Sequence, residues 1–247
     1  MVNILIPSCS NSEFFADSYY PKTLCEVNGK PMIQVVSDTF ASVEDKHFIY
    51  MFLQNECDRF HTDKVVSILN EYKADVIRLK DTTGGALCTC LMAVEYIDND
   101  SELIISNNDQ IIEEDFTQIL AGMRQKNADC GVVCFETLHP RWSYVRFDGD
   151  DVVEAAEKRP ISNKAIAGAY YFKRGHDFVE AAKGAIRKGS MHEGLYYLTA
   201  SINEMILSNK KVVKYDIDNN KYHSLFTPER IRLFEDERKK TVNCVKK

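Results

Sequence analysis

In the first 137 residues, short apolar runs alternate with stretches of helical periodicity, and this restricts the chain to few folds. The apolar runs lie at residues 2–7 (VNILIP), 47–53 (HFIYMFL), 74–79 (ADVIRL), 102–107 (ELIISN) and 129–136 (DCGVVCFE). Each is too short for an ordinary helix and reads as a buried strand. Between them, residues 30–40, 58–72, 85–96 and 113–126 carry helical patterns. Such alternation predicts a doubly wound, mainly parallel α/β sheet of Rossmann-like build, with ligands at the carboxyl ends of its strands.

After Pro140 the rhythm changes. Residues 142–147, 152–157 and 166–172 are strand-like, with Asp148-Gly149-Asp150 as a turn signal. They predict a small antiparallel extension. Helices are expected over 175–187 and 193–207, then a strand over 211–217 and a charged helical tail from Glu229 to a basic stub. No Gly/Ser/Pro-rich linker and no internal repeat divides the chain, so residues 1–247 read as one domain.

Charge and cysteine usage exclude several functions. With 31 Lys and Arg against 37 Asp and Glu, the net charge of −6 argues against a nucleic-acid partner. No apolar run approaches the roughly 20 residues of a membrane span, and the N-terminus lacks a signal-peptide pattern. A cytoplasmic protein without membrane partners is expected. Cys9, Cys25, Cys57, Cys88, Cys90, Cys130, Cys134 and Cys244 lack zinc-ribbon spacing and paired histidines. Several sit in apolar runs, where a thiol behaves as a small hydrophobe, so free thiols in a reducing compartment are expected.

Four segments carry candidate chemistry. The first is Pro21-Lys22-Thr23-Leu24 followed by Val27-Asn28-Gly29-Lys30-Pro31-Met32-Ile33. A lysine on the loop after the first strand can reach phosphates, although a solvated lysine that contributes little to stability reads equally well. The second is Thr82-Thr83-Gly84-Gly85-Ala86, whose glycines permit close backbone approach to a planar ligand or tight packing. In the third, Ile104 to Gln110, Asp109 follows an apolar strand, suited to a magnesium ion bridging phosphates or to a helix N-cap before Glu113. The fourth joins Glu157-Lys158-Arg159-Pro160 to Ala167-Gly168-Ala169-Tyr170-Tyr171-Phe172: Glu accepts from hydroxyls, Lys holds an anion.

Taken in order, PK-x-L-x2-V-x-G-K-P-M-I, T-x-G-A, strand–N-x-D-Q and E-K-x-P with G-x-Y-Y-F resemble the nucleotidyltransferases that make sugar nucleotides. These are pyrophosphorylases of the GT-A-like fold, and the resemblance is to a capsule- or surface-polysaccharide type. The likeness runs from residue 2 to about 229. It implies transfer of a nucleoside monophosphate from CTP, UTP or dTTP to a phosphorylated small molecule, above all a sugar 1-phosphate, with Mg2+ as cofactor. Residues 1–137 would form the nucleotide half, 138–229 the acceptor half and 230–247 a frayed tail.

By the same resemblance, Lys22, Asp109 and Lys158 are the catalytic candidates. Pro7, Ser8, Cys9, Ser10, Lys22, Thr83, Gly84, Gly85, Asn107 and Asn108 would bind nucleotide. Glu157, Lys158, Gly168 and Tyr170 would bind acceptor, with Arg159 reinforcing Lys158. Asp109 would be the metal ligand. Family members place a second acid where this chain has Ser224, leaving Asp218 or Asp216 as substitutes, with Asp218 preferred. The chain also departs from the family after its first strand: Ser8-Cys9-Ser10-Asn11-Ser12-Glu13-Phe14-Phe15 has neither the usual glycines nor the arginine. Competing readings are a cytidylyltransferase for a phosphocholine-like acceptor, a GT-A glycosyltransferase and a non-catalytic nucleotide-binding relative. A monomer or homodimer is expected.

Overall fold

The computed structural model describes residues 1–10 and 13–245. Strand β1 (Val2–Ser8) leads through a loop to a two-residue hairpin, β2 (Glu26–Val27) and β3 (Lys30–Pro31). Its turn residues Asn28 and Gly29 have φ of 50° and 79°, the left-handed pair for which Asn-Gly is suited. Helix α1 (Met32–Asp38) starts directly after Pro31. Next come β4 (Lys46–Leu53), α2 (Gln54–Phe60), α3 (Thr62–Leu69) and β5 (Asp75–Leu79). The single helix expected over 58–72 is two, because His61 turns left-handed (φ 55°) and ends α2.

The helix expected over 85–96 is likewise broken, into α4 (Ala86–Leu91) and α5 (Val94–Ile97). Strands β6 (Glu102–Ser106) and β7 (Gln110–Ile112) precede α6 (Phe116–Gln125). The cap of α6 is Asp115, whose side chain accepts from the Thr117 N–H; Asp109 does not cap it. Then follow β8 (Cys130–Glu136), β9 (Tyr144–Asp148), β10 (Asp151–Ala156), β11 (Lys164–Phe172) and α7 (Gly175–Arg187). Helix α8 (Leu198–Leu207) begins later than expected, since positive φ at Glu193 and Gly194 makes the preceding segment a loop. Strands β12 (Val212–Asp216) and β13 (Tyr222–Ser224) lead to α9 (Pro228–Val245).

Nine strands form one sheet in the order β5-β4-β1-β6-β11-β8-β12-β10-β9. The strands β5, β4, β1 and β6 are mutually parallel; β11 enters antiparallel between β6 and β8. Apolar residues alternate between the faces: Ile4 and Ile6 join one core layer, Leu5 the other. The first layer takes in α1 and α6, the second α4, α7 and α8. Burying each of these aliphatic or aromatic side chains is worth about 1.5–3 kcal/mol, so the layers hold the sheet rigid under its loops.

Two features place the site. The parallel strands β1, β4 and β6 end on the same edge, delivering their following loops together. In addition, β11 shifts register between Ile166 and Tyr170, and Gly168 there is left-handed (φ 63°). Its carbonyl accepts from the Asn107 N–H at 2.9 Å, tying the later half of the chain to the loop after β6.

Candidate active site

At the carboxyl ends of β1, β4 and β6 lies a cavity of about 370 Å³, lined among others by Ser8, Ser10, Lys22, Thr23, Glu56 and Asn108. Lys22 follows Pro21 into a short turn, and its Nζ donates to Asp109 Oδ2 at 3.0 Å across 87 residues of sequence. Only 10% of the lysine side chain and 15% of the aspartate side chain are exposed. The expected phosphate lysine and the expected metal carboxylate therefore meet, and the lysine is not the solvated loop residue that its position suggested. Ser8 Oγ and Thr23 Oγ1 are buried without a hydrogen-bond partner among the described residues, so they remain available to a ligand.

Other residues after β1 are placed differently. Cys9 packs its thiol into the second core layer, and burial pushes that thiol up to about 12. Only its backbone is left for a ligand. Pro7 is still within β1, in register with Met51, and has no N–H to give. Asn11 and Ser12 lie outside the described residues.

Glu56 was not singled out from the sequence. It sits on α2 just past β4, the same acid-after-apolar-strand signal that marked Asp109. Its side chain lines the cavity, and Oε2 is buried without a hydrogen-bond partner. Burial pushes this carboxyl up to about 7 against the opposing pull of Lys22.

The glycine turn is used partly by the protein itself. Thr83 Oγ1 donates to the Gly85 carbonyl at 2.9 Å and lies 2.7 Å from Thr89 Oγ1. A side chain at Gly85 (φ 123°) would run into the backbone of Tyr196, whose N–H donates to the Gly84 carbonyl at 2.8 Å. The close approach at Gly85 is thus to Tyr196; the exposed Gly84 keeps a face toward solvent.

On the other side, Glu157 Oε2 accepts from Ser143 Oγ (2.7 Å) and Thr199 Oγ1 (3.0 Å). Lys158, itself left-handed at φ 49°, donates to Glu193 Oε2 at 2.7 Å and stands 5.4 Å from the Tyr197 ring centre. The Glu193 hydrogen bond raises the lysine above its ordinary range. Tyr170 is buried, and desolvation reinforced by Glu157 pushes its phenol up, so it supports Glu157 from behind and presents little surface to a ligand. Arg159 pairs with Glu154 at 3.1 Å and does not join Lys158.

Strand register sets the preferred second carboxylate, Asp218, away from Asp109. Strand β13 runs antiparallel to β7, which sets Ser224 beside Gln110, and the Leu225 N–H donates to the Asp109 carbonyl at 2.7 Å. Asp218 precedes that ribbon at its far end, beyond Lys221, whose carbonyl accepts from the Glu113 N–H. Asp216 is held by Lys214 at 2.6 Å and Lys164 at 3.3 Å. Among the described residues no group of three or more His, Cys, Asp or Glu side chains is arranged to hold a metal. The seven described cysteines are all free thiols, and Cys244 lies outside the described side chains.

Residues 16–223 match the family described as nucleotidyl transferase. The chain belongs to that family. This nucleotidyl transferase is 24% identical over 249 residues to the bifunctional protein GlmU of Caldicellulosiruptor saccharolyticus (strain ATCC 43494 / DSM 8903 / Tp8T 6331), covering 92% of the chain but only 50% of that protein. Its fold is that of a nucleoside-diphosphate-sugar pyrophosphorylase from Vibrio cholerae RC9, with a TM-score of 0.79 at 20% identity over 96% of this chain and 100% of the other. An inositol-1-phosphate CTP transferase from T. maritima superposes with a TM-score of 0.70 at 11% identity, over 92% and 90% of the two chains. No described helix of this nucleotidyl transferase is long and apolar enough to cross a membrane.

Proposed function

We propose that this nucleotidyl transferase joins a nucleoside monophosphate from CTP, UTP or dTTP to a sugar 1-phosphate, releasing pyrophosphate. The observation that carries the reading is the Lys22–Asp109 pair beside a strand-end cavity lined by Ser8, Ser10, Lys22, Thr23 and Asn108. An acceptor phosphate oxygen attacks the α-phosphorus, and the bond to the bridging oxygen of pyrophosphate breaks. A phosphate monoester is already a competent nucleophile, so no general base is required.

Lys22 would move from Asp109 to the triphosphate and neutralise the charge that builds on the leaving pyrophosphate. Magnesium bound with a triphosphate takes only one or two protein carboxylates, and Asp109, freed of Lys22, fits that donor set. When bound, the metal would supply further charge neutralisation at the phosphates. Lys158 would hold the acceptor phosphate after leaving Glu193, and Glu157 would accept from acceptor hydroxyls.

Ser143 and Thr199 hold Glu157 through Oε2, and a carboxylate whose other oxygen accepts from acceptor hydroxyls suits a sugar or cyclitol phosphate better than phosphocholine. Pyrophosphate release, assayed for each triphosphate against a panel of phosphorylated acceptors, tests the reading. Turnover with at least one sugar or cyclitol phosphate is expected, lost in Asp109→Asn while the fold is kept. Binding of triphosphates with no transfer to any acceptor would instead mark a non-catalytic relative.

A further inference from the structure

The triphosphate cavity contains an acid that the proposed reaction does not use. Glu56 lines it, with Oε2 sealed from solvent and without a hydrogen-bond partner among the described residues, while Lys22, the cation whose charge acts on it, is engaged 3.0 Å from Asp109. Among the described residues lining this cavity Lys22 is the only cation, and the exposed Glu13 adds a second acid. An ionised Glu56 would therefore face the most highly charged part of a nucleotide with no side-chain cation of the described lining to spare. A neutral carboxyl in the same place is a hydrogen-bond donor, and a bond from O–H to an anionic oxygen is short and strong.

We propose that Glu56 binds the nucleotide as a neutral carboxylic acid, donating its O–H to a phosphate oxygen, so that triphosphate binding takes up one proton from solvent. This rests on the reading of the cavity as the nucleotide site. The groups around Glu56 agree with it. Burial already holds the carboxyl near 7 in the free protein, and an incoming polyphosphate pushes it further in the same direction. Lys22 opposes that, but it is shared with Asp109 and will be shared with the phosphates. Cys9, from the end of β1, stays a neutral thiol at physiological pH. Cys57, beside Glu56 on α2, turns to Thr62 at 3.4 Å and is also pushed up by burial. Neither supplies a counter-charge.

Calorimetry decides the matter, titrating CTP, UTP, dTTP and inorganic tripolyphosphate into the full chain and into Glu56→Gln between pH 6 and about 9, where the Gln variant corrects for the titration of the phosphates themselves. Relative to Glu56→Gln, wild-type affinity should fall about tenfold per pH unit once the pH exceeds the carboxyl's range. The heat of binding should also change with the ionisation enthalpy of the buffer in the wild type, and less so by one proton in the variant. Parallel pH profiles overturn the proposal. A wild-type affinity that rises with pH relative to the variant also overturns it, and points to an ionised Glu56 holding a cation. If no triphosphate binds either protein at any pH, the nucleotide reading fails and this proposal with it. Should Glu56→Gln not fold, buffer-dependent proton uptake by the wild type at about pH 8 to 9, where the free carboxyl and the free triphosphate are both ionised, still decides: no uptake there overturns the proposal.

Discussion

Lys22 shows how far a side chain's partner alters its energetic role. An exposed loop lysine contributes little to stability, but this one is nearly buried against Asp109. Lys22→Ala leaves that carboxylate without its partner, so a loss of about 1–3 kcal/mol in urea unfolding is expected, together with a much larger fall in turnover. Unchanged stability would mean that the pair is loose in solution. Glu56 has the opposite sign. Its folded carboxyl holds a proton that the unfolded chain releases near the ordinary value of 4.5, so the folded state binds more protons between 4.5 and about 7. Wild-type stability should therefore fall relative to Glu56→Gln as pH rises through that window, then level off. The gap is on the order of 1 kcal/mol after solvent screening. Parallel melting curves from pH 4 to about 8 would refute it.

At the scale of elements, the bulge in β11 carries the join between the two sides of the site. Gly168 is left-handed there, and an added side chain would collide with the amide ends of Asn107 and Gln110. Gly168→Ala combines the left-handed penalty with overpacking, for a destabilisation of about 2–4 kcal/mol. Because Asn107 and Gln110 flank Asp109, turnover should fall as well. A variant as stable and active as the wild type would show that this backbone relaxes at no cost. The breaks at His61 and after α4 belong to the same scale. Helical periodicity persists through both, but a left-handed residue in one case and a turn in the other end the hydrogen-bond ladder.

Over the whole molecule, the chain meets itself across the site at several seams, among them Asn107 with Gly168 and Gly84 with Tyr196. Lys158 and Glu157 stand on the far side of these seams from the cavity residues. Lys158→Ala is thus expected to weaken acceptor binding severalfold or more while leaving nucleotide affinity, measured without acceptor, within about twofold. Loss of nucleotide affinity in that variant would show that the two sides do not divide the substrates. Its stability should hardly change, since Lys158–Glu193 is an exposed pair.

Much of this was legible in the residues. Apolar runs and helical spacing report burial on one or two faces, a local property, and they placed every strand of the parallel side and the change of rhythm after Pro140. Motif order pointed to Lys22, Asp109 and Glu157 because each stands where a strand or turn ends. What the sequence could not decide was which groups share one space. That Lys22 reaches Asp109, that Glu56 lines the same cavity as Lys22, that Lys158 is held by Glu193, and that Asp218 is carried to the end of the β7–β13 ribbon away from Asp109 all depend on long-range register. Strand pairing sets which residues lie opposite each other, and a local pattern contains no record of it.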